Sequence, residues 1–166
     1  MHCYPETVVF RHKRERLSKC SLRGLEPRED FTFFRYPITE VPECTGYILL
    51  DLGAPPLTRA DAGRGLLVLD ATWRWAEQMH KTIEPRVDVV KRSIPAGART
   101  AYPRRQDDCA DPEAGLASIE AIYIAYVILG RSTEGLLDGY YWGQRFLELN
   151  TDYLRGLSGE GNEDRC

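Results

Sequence analysis

The sequence predicts an α/β protein whose N-terminal part is rich in strands. Three observations carry that reading. Short β-branched and aromatic runs dominate the first half. The continuous apolar run Gly65-Leu66-Leu67-Val68-Leu69-Asp70 reads as a central strand covered on both faces. Helical periodicity takes over in the second half. With 166 residues there is room for one domain, with a small lobe packed on a larger one.

Taken in order, Thr7 to Phe10 and Phe31 to Tyr36 read as strands, and so does Tyr47 to Leu52, bounded by Gly46 and by Gly53-Ala54-Pro55-Pro56. After the Gly65–Asp70 strand, Asp70 is a suitable cap for a helix over Ala71 to Lys81. That stretch holds no proline or glycine and spaces Trp73, Ala76, Gln78 and Lys81 amphipathically until Pro85 ends it. Val87 to Val90 reads as one more short strand. Ser118 caps a second helix, Ile119 to Leu129, apolar on nearly every side and therefore buried, which Gly130 stops. Thr133 caps a third, to Tyr153, in which Gly135, Gly139 and Gly143 fall four apart. Each glycine costs up to about 1 kcal/mol of helix propensity, so the stripe predicts a close backbone approach.

The net charge of −3 excludes a protein whose whole surface attracts nucleic acid, but the charge is segregated. Arg11 to Arg23 carries six basic side chains against the single acid Glu15, and Lys91 to Arg105 carries five and no acid. Asp107, Asp108, Asp111 and Glu113 follow at once, and the chain after Ser132 is net acidic. Two solvated loops that never meet would give the same pattern. No apolar stretch approaches the roughly 20 residues of a membrane span, and no charged-then-apolar leader opens the chain, so the expected compartment is the cytoplasm.

The five cysteines, at positions 3, 20, 44, 109 and 166, form no close pair of the kind a zinc ribbon or redox dithiol uses. Reduced thiols and no metal are expected; His2, His12 and His80 have no metal-ligand spacing either. Cys20 stands beside Lys19 among bases that would lower its pKa, although no histidine is placed to serve it. There is no dinucleotide fingerprint, Walker loop or nucleophile elbow. The strand end at Asp70 is the most suggestive element, because ligands of open α/β sheets settle at carboxyl ends of strands. Asp70 then reads either as a cleft acid or as a helix cap, and Trp73 as a cleft aromatic or a core one. Glu120, on the first turn of the buried helix, complements its dipole.

Read together, Leu17-Ser18-Lys19-Cys20-Ser21, Pro56-Leu57-Thr58-Arg59-Ala60-Asp61 and Gly65-Leu66-Leu67-Val68-Leu69-Asp70-Ala71-Thr72-Trp73 resemble, in order, motifs of the aminocarboxypropyltransferases that modify small-subunit ribosomal RNA. Arg92-Ser93-Ile94-Pro95, Leu116-Ala117-Ser118-Ile119-Glu120-Ala121 and Trp142-Gly143-Gln144-Arg145-Phe146-Leu147-Glu148-Leu149-Asn150 continue the likeness, which spans nearly the whole chain. The stretch Arg99-Thr100-Ala101-Tyr102-Pro103-Arg104-Arg105 and the Asp-x-Thr-Trp form are instead more similar to the DTW-domain enzymes, which act on transfer RNA.

The resemblance implies a SPOUT-like fold with a knotted C-terminal domain and a small N-terminal β-rich lobe. It divides the chain into an RNA-facing lobe (1–46), an S-adenosylmethionine-binding domain (47–157) and a disordered tail (158–166). It implies transfer of the 3-amino-3-carboxypropyl group to a uridine or modified pseudouridine of structured RNA, ribosomal ahead of transfer RNA, by a monomer. Ser21, Leu50, Leu69, Asp70, Trp73, Leu116, Ser118 and Ile119 would enclose the cofactor, with Asp70 as catalytic acid-base group or ammonium anchor. Arg11, Lys13, Arg14, Arg16, Lys19, Arg23, Arg99, Arg104 and Arg105 would meet phosphate, and Tyr102 would stack on an extruded base. The alternatives are an RNA methyltransferase on the same scaffold and, from another class, a non-catalytic RNA-binding or ribosome-assembly module.

Overall fold

Five strands form one sheet in the order β2-β1-β4-β3-β5, and every pairing is parallel. They are β1 (Thr7–His12), β2 (Phe31–Tyr36), β3 (Ile48–Leu50), β4 (Leu66–Asp70) and β5 (Val90–Arg92). The structure, a computed structural model, describes residues 3–16, 18, 20–103 and 115–159, and of Trp73 the backbone only. It divides into two compact units, one of residues up to Pro55 with Gly63–Ser93, the other of Pro56–Ala62 with the chain from Ile94 onward. The boundary expected at residue 46 falls inside the first unit, because β1 and β2 hydrogen bond into the same sheet as β4.

The sheet is parallel because its central strands have no polar face. Val8, Val9, Phe10, Leu66 and Leu67 are all buried, as strands covered on both sides require. Helix α1 (Trp73–Ile83) covers the sheet with Met79 and Ile83, four residues apart, which pack with Val8, Phe10, Tyr36, Cys44, Leu49 and Leu67. Its cap is Thr72 in extended backbone, not Asp70, which closes β4 two residues earlier. Strand β3 is shorter than the expected Tyr47–Leu52, since the Asp51 carboxylate accepts from the Gly53 amide at 3.1 Å and turns the chain. Strand β5 begins at Val90 rather than Val87, after the 3₁₀ turn Glu84–Arg86 that contains Pro85.

In the second unit α2 (Ser118–Leu129) is the core element: Ile119, Ile122, Ile124, Ala125 and Tyr126 are completely buried. It is preceded by Ala117, not capped by Ser118, and ends at Gly130 in left-handed backbone, φ 70°. The expected third helix is divided. Residues 133–142 form successive turns, Leu136 bonding back to Thr133, Asp138 to Gly135 and Tyr140 to Leu137. Gly135 has a φ of 76°, which a helix does not accommodate. Only α3 (Gly143–Leu149) and α4 (Thr151–Gly159) are helical. A close approach is found at Gly143, where a Cβ would lie 3.2 Å from the Leu137 carbonyl. Of the expected tail, Ser158 and Gly159 belong to α4 and the rest lies outside the described residues. No helix among the described residues is long and apolar enough to cross a membrane.

Candidate active site

All five strands point the same way, so His12, Tyr36, Leu50, Asp70 and Arg92 lie along one carboxyl edge. Strands β1 and β4 are neighbours, yet from β1 the chain goes to β2 on one flank and from β4 it passes to β5 on the other. Such divergence opens a crevice at the strand ends. Arg11 and Asp70, paired in register across β1 and β4, stand at that point.

The crevice holds a cluster of polar groups. Buried Asp70 accepts from the Cys20 thiol at 3.1 Å and from Arg11 Nε at 3.3 Å. Arg11 also donates from Nη1 to Glu26 at 3.0 Å and lies 4.6 Å over the Phe33 ring, while its buried Nη2 has no hydrogen-bond partner among the described residues. Burial opposes the Arg11 charge, but Cys20, Glu26 and Asp70 outweigh it and raise its pKa. Burial and then the Asp70 charge push the Cys20 thiol up to about 12. The lowering that flanking bases would give is not found: Cys20 turns inward and is a protonated hydrogen-bond donor. Glu15 is raised by burial and by Asp70, against Arg11 and the Thr72 backbone. The ligand atoms of Glu15, Cys20 and Asp70 lie within 4.8 Å of one another. Within that cluster the Asp70 carboxylate is already engaged by the Arg11 guanidinium and the Cys20 thiol.

Of the residues expected to enclose a cofactor, the first unit brings together Leu69 and Asp70 at the end of β4, Leu50 at the end of β3, and Ser21 beside Cys20. Trp73 opens α1 three residues after Asp70. Leu116, Ser118 and Ile119 belong to the second unit, where Leu116 and Ser118 are half-buried and the Ile119 side chain is sealed in the core. Among the expected phosphate contacts, Arg11 is turned onto Asp70 and Glu26 instead of solvent. Lys13, Arg14, Arg16, Arg23 and Arg99 are exposed, and Tyr102 is half-buried. Lys19, Arg104 and Arg105 lie outside the described residues.

Sequence reasoning missed Glu15 and Glu26 at the site. Glu15 had a signal, as the single acid in a basic run. It also undervalued Glu120, which is completely buried and accepts from the Ala117 amide (2.7 Å), the Ala101 amide (2.8 Å) and the Thr100 hydroxyl (2.7 Å). That carboxylate fastens the 99–102 segment to the start of α2. Asn150, also buried, bonds both the amide and the carbonyl of Arg99, at 2.7 and 2.8 Å, from the break between α3 and α4.

No family model matches the sequence, and no curated protein does. Among solved structures, the fold is similar to that of Tsr3 from Vulcanisaeta distributa, described as an SAM-dependent rRNA:acp-transferase. The match has a TM-score of 0.71 and 25% sequence identity, and covers 94% of this chain and 84% of that chain.

Proposed function

We propose that this protein is an S-adenosylmethionine-dependent transferase that moves the 3-amino-3-carboxypropyl group to a uridine or modified pseudouridine of ribosomal RNA. The observation that carries the reading is the fold match over 94% of the chain to an SAM-dependent rRNA:acp-transferase. The ordered motifs quoted above point the same way. A SPOUT-like knotted arrangement and an RNA-facing lobe over 1–46 belong to the same proposal.

The crevice suits the amino-acid end of such a cofactor. Burial raises the Glu15 carboxyl first and the charge of Asp70 adds to it, a repulsion that a cation would relieve. The orphaned Nη2 of Arg11 offers a donor to a carboxylate beside them. One ammonium and one carboxylate on the same small group satisfy both. When bound, the sulfonium cofactor supplies a carbon already attached to a good leaving group.

The protein's task is then positioning. Asp70, fixed by Cys20 and Arg11, holds the ammonium, and Ser21 follows Cys20 in sequence. Leu50, Leu69 and Trp73 of the first unit bound the cofactor. Glu15, with its raised carboxyl, is tuned to accept the imide proton of the base. Lys13, Arg14, Arg16 and Arg23 meet the phosphates of the folded RNA. Incubation with ribosomal RNA and cofactor, followed by nucleoside mass spectrometry, tests this: an aminocarboxypropylated uridine derivative is expected. A methylated nucleoside would support the methyltransferase reading, and an unmodified RNA that still binds would support the non-catalytic one.

A further inference from the structure

The first unit carries a second surface beside the Asp70 crevice, at the ends of β1 and β2. A hollow of about 400 Å³ opens there, lined by Phe33, Phe34, Arg35, His12 and Lys13 with Arg11 and Glu15 toward the crevice. His12 links it to a tier of rings: its imidazole stacks on Trp75 (4.9 Å, 15°) and on Tyr36 (5.6 Å, 28°). The guanidinium carbons of Arg14 and Arg74 lie 4.9 and 5.2 Å from the Trp75 ring. His12 accepts at Nδ1 from the Arg14 amide, and burial with the charges of Arg14 and Lys13 lowers its pKa, so it fills the tier as a neutral ring.

The charge of this surface is uncompensated. Lys13, Arg14, Arg16, Arg35 and Arg74 are exposed, and none of them has an ion pair among the described residues. Glu15 is the one acid among the lining residues of the hollow, and it faces Asp70 and Arg11. Glu77, on the exposed side of α1, is paired with Lys81. Cations alone would suit any polyanion. Cations around an aromatic-lined hollow suit a polyanion with flat, unpaired rings.

We propose that the carboxyl edge of β1 and β2 docks an unpaired RNA strand, one base entering the hollow against Phe34 and adjoining phosphates resting on Arg14, Arg35 and Arg74. The inference rests on the RNA reading above and deepens it, adding Phe33, Phe34, Arg35, Arg74 and Trp75 to the substrate surface. The tier of Tyr36, His12 and Trp75 holds the Arg14 and Arg74 planes in place, which lowers the entropy lost on binding.

Fluorescence anisotropy with a short labelled uridine-rich oligoribonucleotide, its duplex, and poly-glutamate as competitor tests the docking. Arg35→Gln with Arg74→Gln, both exposed and so harmless to folding, should reduce the salt slope by about 1.4, at about 0.7 per single-strand phosphate. Phe34→Leu should weaken the unpaired strand about fivefold or more and leave the duplex unchanged. An unchanged slope in the arginine pair overturns the proposal, as does poly-glutamate competing as well as RNA. Should Phe34→Leu fail to fold, the arginine pair still decides. Transfer of cofactor label to RNA is measured alongside. Docking without transfer removes the enzyme reading alone, and transfer with unaffected docking variants removes this inference alone.

Discussion

Cys20 donates its thiol hydrogen to Asp70 across 3.1 Å, between a loop and the end of the central strand. The pairing fixes the carboxylate, and it also makes the thiol inert. At pH 8 iodoacetamide should label exposed Cys3 and spare Cys20 in the folded protein. Rapid labelling of Cys20 would contradict its buried, protonated state.

The same thiol sets a pH window. Its folded pKa, about 12, lies above the ordinary 9.0, and Cys44 is likewise raised by burial to about 11. Between those limits the unfolded chain releases protons that the folded chain retains, so stability falls as pH rises. Urea unfolding should show the thiol contribution intact below pH 9 and declining from there to about pH 11–12. In Cys20→Ser the decline should be shallower; an identical slope would remove Cys20 as its source.

Asp70→Asn retains shape and removes charge. Transfer should fall by about 100-fold or more, with weaker cofactor binding by calorimetry. The variant also reports on its neighbour. Without the Asp70 charge the Glu15 carboxyl should titrate lower, because Asp70 is one of the two causes that raise it. Glu15 acts as a base only when deprotonated, so wild-type activity rises with pH through its raised pKa, and Glu15→Gln should lose that acid limb. A mutant with full activity and the same limb would exclude Glu15 from proton transfer.

Glu120→Ala strips three donors of one buried acceptor: the Ala101 and Ala117 amides and the Thr100 hydroxyl. Leaving such groups unsatisfied costs about 1–3 kcal/mol each, not additively, so a loss of about 3 kcal/mol is expected. Denaturant titration reads it directly, and a loss below about 1 kcal/mol would show that the carboxylate is dispensable.

Gly130→Ala probes the end of α2. A side chain at φ 70° costs about 1–2 kcal/mol. The added Cβ would also run into the Arg59 guanidinium, which must move. Thermal unfolding should shift down by several degrees. An unshifted transition would mean that the turn relaxes freely.

The strands were legible where burial leaves a pattern in the residues. Leu66 to Asp70 reads as a doubly covered strand because it is one, and the apolar circumference of α2 announced a core helix. The end of β4 stood out because the chemistry of parallel sheets concentrates at carboxyl edges. What periodicity could not reveal was backbone hand: Leu136, Leu137, Tyr140 and Tyr141 keep helical spacing, yet Gly135 at positive φ turns the segment into consecutive bends. Nor could local charge foretell Cys20, whose environment is set by Asp70, fifty positions away in sequence. Arg35 and Arg74 escaped because each stands outside the basic runs and joins them only through the sheet and the first turn of α1.

The most direct test of the account follows two labels from one cofactor. S-adenosylmethionine carrying one isotope in its methyl carbon and another in its carboxyl carbon is incubated with the protein and ribosomal RNA, and the RNA is recovered. The account predicts carboxyl label in the RNA and methyl label left behind with the nucleoside product. Methyl label in the RNA, or neither label, would contradict it.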